Sequence, residues 1–217
     1  MKHIKFTFKI FVFLFISFVV SMSLLYAYAY LSDGIDIKTS NSFYIYDKDE
    51  KLVYLGSGNS EWVDIENVSP YFLDAIISTE DKYFYKHMGF DYLRIAKSLY
   101  TNFKNGYISQ GGSTISQQYV KNMYLDFDKT WERKIQEAFL TLKLETHYSK
   151  DDILQGYINT INFGQGCYGI SDASKYYFNK KPSELSLEEA IILAGIPKSP
   201  NNYNPVSSYE KAIKRGK

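Results

Sequence analysis

From Ile10 to Tyr30 the chain carries no charged side chain. As a helix this stretch is about 31 Å long, the thickness of a bilayer's hydrocarbon core. Such a run constrains everything else: one helix belongs in a membrane, and the remainder must build its own core. Lys2, Lys5 and Lys9 precede the run, whereas Asp33 and Asp36 follow it. This asymmetry predicts a cytoplasmic N-terminus, with the chain after Leu31 on the outer face of the cell membrane. Tyr26, Tyr28 and Tyr30 suit an aromatic anchor at the outer interface. A cleaved signal peptide is the competing reading, because Ala27-Tyr28-Ala29 has small residues at the cleavage spacing. The apolar run is longer than an ordinary signal core and its bulky rings reach the cleavage point, which favours a retained anchor.

Composition narrows the rest. With 25 Lys+Arg against 24 Asp+Glu the net charge is +1, no electrostatic footprint for nucleic acid. A chain that is 45% hydrophobic, with 21 Tyr and 15 Phe, is not a disordered tail. A lone Cys167 forms no internal disulfide, and His3, His87 and His147 are too scattered for a His-rich zinc site. The expected layout is a cytoplasmic tail (1–9), a transmembrane anchor (10–31), an extended linker with a weak hairpin (32–66), and a mostly α domain (67–217). The hairpin is read from Phe43–Asp47 and Leu52–Leu55 around the turn Asp47–Glu50. Ser69-Pro70 opens the helical region as cap and first helical residue, with Phe72, Ala75, Ile76 and Thr79 at helical spacing. Ser149/Asp152 and Ser186/Glu189 read as capping boxes, with a glycine-rich turn, Phe163–Gly169, between them.

Three segments carry side chains suited to chemistry. In Glu80–Asp91, a helix continuing past Glu80 would put Glu80, Phe84 and His87 on one face, setting a carboxylate beside an aromatic ring. A solvated Glu-Asp pair ending a helix is the plainer reading of that segment alone. In Gln110–Asn122, a Gly111-Gly112 turn feeds a Ser113/Thr114 cap, and Thr114, Gln117, Gln118 and Lys121 form one stripe. A helix N-terminus with hydroxyls and a lysine suits an anion or phosphate. In Trp131–Glu145, Ile135, Phe139 and Leu142 predict the buried stripe, while Arg133, Lys134 and Glu137 share a polar flank. An exposed Arg133–Glu137 pair would be worth only a few tenths of a kcal/mol. Lys150–Asn159, Leu185–Pro197 and Pro200–Pro205 read as scaffold.

Taken together, Glu80-Asp81-x-x-Phe84-x-x-His87-x-Gly89, then Gly111-Gly112-Ser113-Thr114-x-x-Gln117-Gln118-x-x-Lys121-Asn122, then Arg133-Lys134-x-x-Glu137, resemble three motifs of the peptidoglycan glycosyltransferases. Ile153-Leu154-x-x-Tyr157-x-Asn159 with Phe163-Gly164-x-Gly166, and Glu189-Ala190-x-x-Leu193-Ala194-Gly195, supply two more in register. That family comprises the glycosyltransferase domain of class A penicillin-binding proteins and the monofunctional transglycosylases. The likeness runs from residue 70 to 205. It implies a helical, lysozyme-like large lobe with a small membrane-proximal jaw. It implies Glu80 as catalytic base and Glu137 as the second acidic residue. Asp81, Phe84, His87, Ser113, Thr114, Gln117, Gln118, Lys121, Asn122, Arg133 and Lys134 would then bind substrate. Gln155, Gly156, Asn162 and Asn179 depart from common family residues, all outside the acid and cation positions. The stretch Ser207–Lys217 reads as the opening of a further helix, so a truncated C-terminus is expected.

The resemblance implies polymerisation of lipid II into β-1,4 glycan with inversion and release of polyprenyl pyrophosphate. It implies no obligatory cofactor, with a divalent cation (Mg or Mn) as an option. The implied partners are lipid II, the growing glycan, the membrane, and a transpeptidase domain or partner. The alternatives are a lysozyme-like lytic enzyme or an inactive membrane scaffold. The first has no use for a phosphate cradle, and retention of Glu80 and Glu137 argues against the second. Tyr92, Leu93, Ile95, Leu99, Tyr100 and Phe103 fit either a lipid-dipping jaw or an ordinary amphipathic core helix.

Overall fold

In a computed structural model, the described residues are 2–37, 44–46, 52–55, 61–107, 111–125, 130–207 and 209–216. Helix α1 spans Lys2–Leu31, and its segment Lys9–Leu31 is long and apolar enough to cross a membrane. Strands β1 (Tyr44–Tyr46) and β2 (Leu52–Leu55) pair antiparallel, with Tyr44 opposite Leu55 and a bulge between Ile45 and Tyr46. The expected turn Asp47–Glu50 lies outside the described residues, as does Gln110. All other described regular structure is helical: α2 (Pro70–Glu80), α3 (Tyr92–Asn105), α4 (Ile115–Tyr124), α5 (Trp131–His147), α6 (Lys150–Ile158), α7 (Ile170–Phe178), α8 (Leu187–Gly195), α9 (Pro200–Tyr203) and α10 (Tyr209–Gly216). Short 3-10 turns sit at Ile65–Asn67, Phe84–Lys86 and Pro182–Glu184.

Local chemistry explains most of the helix ends. Thr114/Gln117, Ser149/Asp152 and Ser186/Glu189 form complete capping boxes for α4, α6 and α8. Asp91 and Thr130 cap α3 and α5. Pro70 occupies the first turn of α2, where its missing N–H costs nothing. Ser69 does not cap; its hydroxyl donates to the Leu185 carbonyl (3.0 Å), tying α2 to the segment before α8. Asn179 ends α7 at φ 53°, a left-handed position that asparagine tolerates.

Helix α2 packs on α8, and α4 packs on α5 and α6. Phe72, Ile76, Ile115, Tyr119, Leu144, Tyr157 and Phe163 are fully buried between them. Each such apolar side chain contributes about 1.5–3 kcal/mol. Before the body proper, Asn159 holds the incoming chain through Val63: its Oδ1 accepts from the Val63 N–H (2.9 Å) and its Nδ2 donates to the Val63 carbonyl (2.8 Å). Gln155 accepts from the Ile65 N–H (2.8 Å). Cys167 is buried and its thiol is pushed up to about 11 by that burial, so it is not a nucleophile.

Two sequence expectations fail here. The helix carrying Glu80 stops at Glu80, so Glu80, Phe84 and His87 do not share a helical face. Asp81 turns extended instead (φ −156°), because its carboxylate is drawn to the N-terminus of α4. On α5 the predicted stripe is rotated: Ile135 is 69% exposed, Phe139 is half-buried, and Glu137, Thr141, Leu142 and Leu144 are buried. A carboxylate with three donors around it can be buried, and it turns Ile135 outward.

The anchor docks on the body. The Tyr28 ring stacks on Phe139 of α5 (5.7 Å between centroids), and Ala29 is fully buried. On α3, Tyr92, Leu93, Leu99, Tyr100 and Phe103 are 66–88% exposed, as is Tyr107 at 67%. Those residues therefore form no part of the core.

Candidate active site

Glu80 is the last residue of α2, and its side chain lines an open cleft of about 620 Å³. Its Oε2 accepts from Gln118 Nε2 on α4 (3.0 Å), and its backbone carbonyl accepts from Arg94 Nη1 on α3. Gln118 is itself oriented. The Tyr157 hydroxyl donates to Gln118 Oε1 (3.2 Å), which turns the amide N–H₂ toward Glu80. Burial raises the Tyr157 pKa well above the ordinary tyrosine value, Glu80 and Asp81 add to this, and the hydroxyl stays a donor. Tyr157→Phe should therefore cost activity about fivefold while lowering stability by only about 1 kcal/mol. Steady-state rates with thermal unfolding check this, and an unchanged rate would mean that Gln118 keeps its orientation unaided.

The neighbouring amide, Gln117, serves the other carboxylate. Its Nε2 lies 3.4 Å from Glu137 Oε1, while Lys134 Nζ pairs with the same oxygen and Arg133 Nη1 lies 3.7 Å from Oε2. Glu137 is 1% exposed, so these partners offset its desolvation. Lys121 senses both acids. Burial lowers its pKa, Glu137 pulls it back up, Arg133 and Lys134 lower it, and Glu80 raises it. Consecutive glutamines of α4 thus hold the two carboxylates, with Lys121 electrostatically coupled to each.

The cleft is walled by Thr79, Glu80, Arg94, Lys97, Ser98, Gly111, Ser113, Gln118, Lys121, Pro197 and Lys198. Four cations thus face it against one carboxylate. A second cavity of about 480 Å³ shares Thr79, Glu80, Arg94 and Lys97 with the first, so Glu80 stands where the two meet. A third, about 200 Å³, shares Ser98 and Ser113 with the cleft and reaches Gln117 and Lys134.

Of the sequence candidates, Glu80, Ser113, Gln118 and Lys121 line the cleft, while Gln117 and Lys134 line the small cavity beside it. The others take different places. Asp81 is fully buried; it accepts from the Ile115 N–H (3.0 Å) and pairs with His87 Nε2 (3.0 and 3.1 Å to its two oxygens). The α4 N-terminus, expected to receive a substrate phosphate, thus already holds an anion of the protein's own. Thr114 is buried as the cap, and its hydroxyl donates to the Gly89 carbonyl (2.7 Å). Phe84 is buried beneath the Lys150 ammonium (4.5 Å from the ring centroid), and His87 meets its edge. Arg133 and Glu137 lie behind the described cavity walls, and Asn122 is exposed outside them.

Sequence reasoning missed Arg94, Lys97, Ser98 and Lys198. The first three sit at i, i+3 and i+4 on α3, a polar stripe overlooked beside the helix's aromatic residues. Lys198 stood between two segments read as scaffold, Leu185–Pro197 and Pro200–Pro205, and was not considered.

The sequence profile of the transglycosylase family matches residues 49–217. Penicillin-binding protein 2D of Bacillus subtilis is 49% identical over 156 residues, covering 72% of this chain and 23% of its own. Penicillin-binding protein 1A/1B of the same organism is 44% identical over 185 residues, 84% of this chain and 20% of its own. The chain therefore spans roughly a fifth of the length of these curated relatives. A crystal structure of penicillin-binding protein 1A from Haemophilus influenzae superposes with TM-score 0.39 at 21% identity, over 85% of this chain and 18% of that one. That score is too low to add to the fold described above.

Proposed function

The chain belongs to the transglycosylase family, and on that premise we propose that it polymerises lipid II into β-1,4-linked glycan. The supporting observation is Glu80 standing at the junction of two cavities of about 620 and 480 Å³, lined by Arg94 and Lys97 on both sides and by Lys121 and Lys198 in the larger. Two saccharides flanking one base, with cations for a departing anion, is the arrangement that glycosyl transfer from a pyrophosphate requires.

In this reading Glu80 takes the proton of the acceptor 4-hydroxyl as its oxygen bonds the donor's anomeric carbon. The bond from that carbon to pyrophosphate breaks on the opposite face, and the electron pair leaves with polyprenyl pyrophosphate. An α-linked donor then yields a β-linked product. Lys121 and the cleft's other cations stabilise the charge that develops on the leaving group. Glu137, enclosed by Gln117, Arg133 and Lys134, organises those cations rather than acting as a second acid. Among the described residues no three His, Cys, Asp or Glu side chains assemble as metal ligands. A divalent cation (Mg or Mn) arriving with the substrate would add to the charge neutralisation that the cleft's cations give the leaving pyrophosphate.

The N-terminal helix fits a membrane-anchored protein. Its orientation, with the N-terminus cytoplasmic and the catalytic body outside, rests on the lysines before it and the aspartates after it. Tethering confines the enzyme to the plane of its lipid-linked substrates, and the exposed rings of α3 would lie against that surface as the jaw. A transpeptidase, in the same polypeptide or as a partner, would cross-link the product.

Incubation with lipid II should give growing polymer, and incubation with finished glycan should give no shortening. Shortening alone would establish the lytic alternative, and neither product would establish the scaffold. Because Lys121 has a lowered pKa, its charge is lost at lower pH than that of exposed lysines. Lys121→Arg should therefore move the alkaline fall in activity to higher pH, since arginine stays charged. Coincident pH–rate profiles would remove Lys121 from the anion site.

A further inference from the structure

We propose that the cavity between segment 61–67 and the connection from α7 to α8 is a second carbohydrate site, which holds a β-1,4-linked N-acetylated amino-sugar chain away from the catalytic cleft. The identity of the sugar rests on the polymerase reading above, whereas the cavity and its aromatic wall do not.

Three observations converge on it. First, the space is ligand-sized, about 650 Å³, and it lies at the opposite end of the packed pair α2 and α8 from the cleft. Its walls come from the segments just before those two helices, whereas Glu80, which ends α2, and Pro197, just after α8, line the cleft. Helix α2, with 11 residues, sets the two sites about 16 Å apart. Second, its charges balance. Glu61, Asp64 and Glu184 stand against Lys175, Lys180 and Lys181 around it. The cleft, with four cations to one carboxylate, suits an anion; this cavity suits a ligand without net charge. Third, the remaining lining is what a sugar ring needs. Trp62 supplies an indole, and Asn67, Asn179, Ser171 and Ser183 supply amides and hydroxyls. Among the described residues no other ring or ammonium stacks on that indole.

Both walls are fixed beforehand. Asn159, 2% exposed, holds the N–H and carbonyl of Val63 beside Trp62, and Gln155 holds the Ile65 N–H. Opposite, the Pro182 carbonyl accepts from the Ser69 N–H (3.0 Å), and Lys180 pairs with Glu189 (2.8 Å). Asn179 sits at φ 53°, where glycine would be unstrained; asparagine there brings an amide to the cavity. A sugar lays its C–H face on an indole and bonds amides through its hydroxyls, so a ring and amides already in place bind it at little ordering cost. A polymerase gains from such a site, because a strand held remote from Glu80 stays at high effective concentration between additions.

The experiment uses the full chain in micelles of a detergent without a sugar headgroup. The probe is chitotetraose, a β-1,4-linked N-acetylglucosamine oligomer, and the control is maltotetraose. The chain has 2 Trp, so in a Trp131→Phe background the emission reports on Trp62 alone. Chitotetraose should shift that emission saturably, and maltotetraose should not. Asn179→Gly should weaken the binding read this way about fivefold without lowering the melting temperature, because it removes the amide and relieves the left-handed backbone. In turnover on lipid II, Trp62→Ala should shorten the glycan about threefold with the initial rate within about twofold. A silent Trp62, an equal response to maltotetraose, undiminished affinity in Asn179→Gly, or unaltered glycan length in Trp62→Ala overturns the proposal. Binding is read without turnover, so the two readings fail separately. Saturable, linkage-specific binding in a chain that forms no polymer sinks the polymerase reading alone. Polymer formation with a silent Trp62 sinks the second site alone.

Discussion

Glu80→Gln is expected to lower the rate of glycan polymerisation about a thousandfold, within the 10²–10⁴ range typical of a lost general base. The substitution preserves shape and an oxygen for Gln118, which now lies 3.0 Å from Glu80 Oε2, and it removes only the capacity to accept a proton. Folding should be little affected, because glutamine matches glutamate in shape and the backbone contact with Arg94 involves the carbonyl. Affinity for polyprenyl pyrophosphate should also persist, since the cations of the cleft are untouched. Single-turnover rates on lipid II, thermal unfolding and probe binding separate these contributions. A variant that polymerises at the wild-type rate would remove Glu80 from the chemistry.

The second large effect is structural. Gly89→Ala should lower stability by about 2–4 kcal/mol, a fall in melting temperature of about 5–15 °C. Gly89 sits at φ +81°, where an L side chain is strained, and an added Cβ would lie 2.7 Å from the Thr141 methyl and 3.1 Å from Glu145 Cγ. Neither neighbour yields easily. Thr141 is buried with its hydroxyl donating to the Glu137 carbonyl (2.6 Å), and Glu145 is held by Ser116 and by Lys150 (2.7 Å). Activity should fall as well, because the Gly89 carbonyl receives the Thr114 hydroxyl that caps α4, the helix presenting Gln118 and Lys121. Thermal melts in detergent check the first effect. An unshifted melting temperature would mean that α5 recedes without cost.

Part of the site was legible from the chain because local rules govern it. The capping boxes at Ser149 and Ser186 and the cap expected at Ser113/Thr114 need only residues a few positions apart, and all three form, Thr114 being the cap and making a full box with Gln117. Glu80 beside a motif-bearing helix and Lys121 on that helix were likewise recoverable. The errors came from burial. Asp81 was expected, from the family resemblance, to bind substrate, yet it is fully enclosed at the α4 N-terminus with His87. Ile135 was read as buried because it is apolar, yet Glu137 takes that place, its charge offset by Gln117, Lys134 and Arg133.

What the amino-acid order determined by itself is the membrane-length helix, the helix starts, the glycine turn and the residue types that the chemistry needs. Each follows from interactions within a few residues, or from the lack of charge along one run. Only the tertiary structure decided which of those side chains reach the cleft. It sent Asp81, Thr114 and Glu137 inward, and it brought Arg94, Lys97 and Lys198 to the wall around Glu80. The reason is that burying a charge is permissible only where distant segments supply its donors. No spacing within a single helix specifies which partners packing will bring.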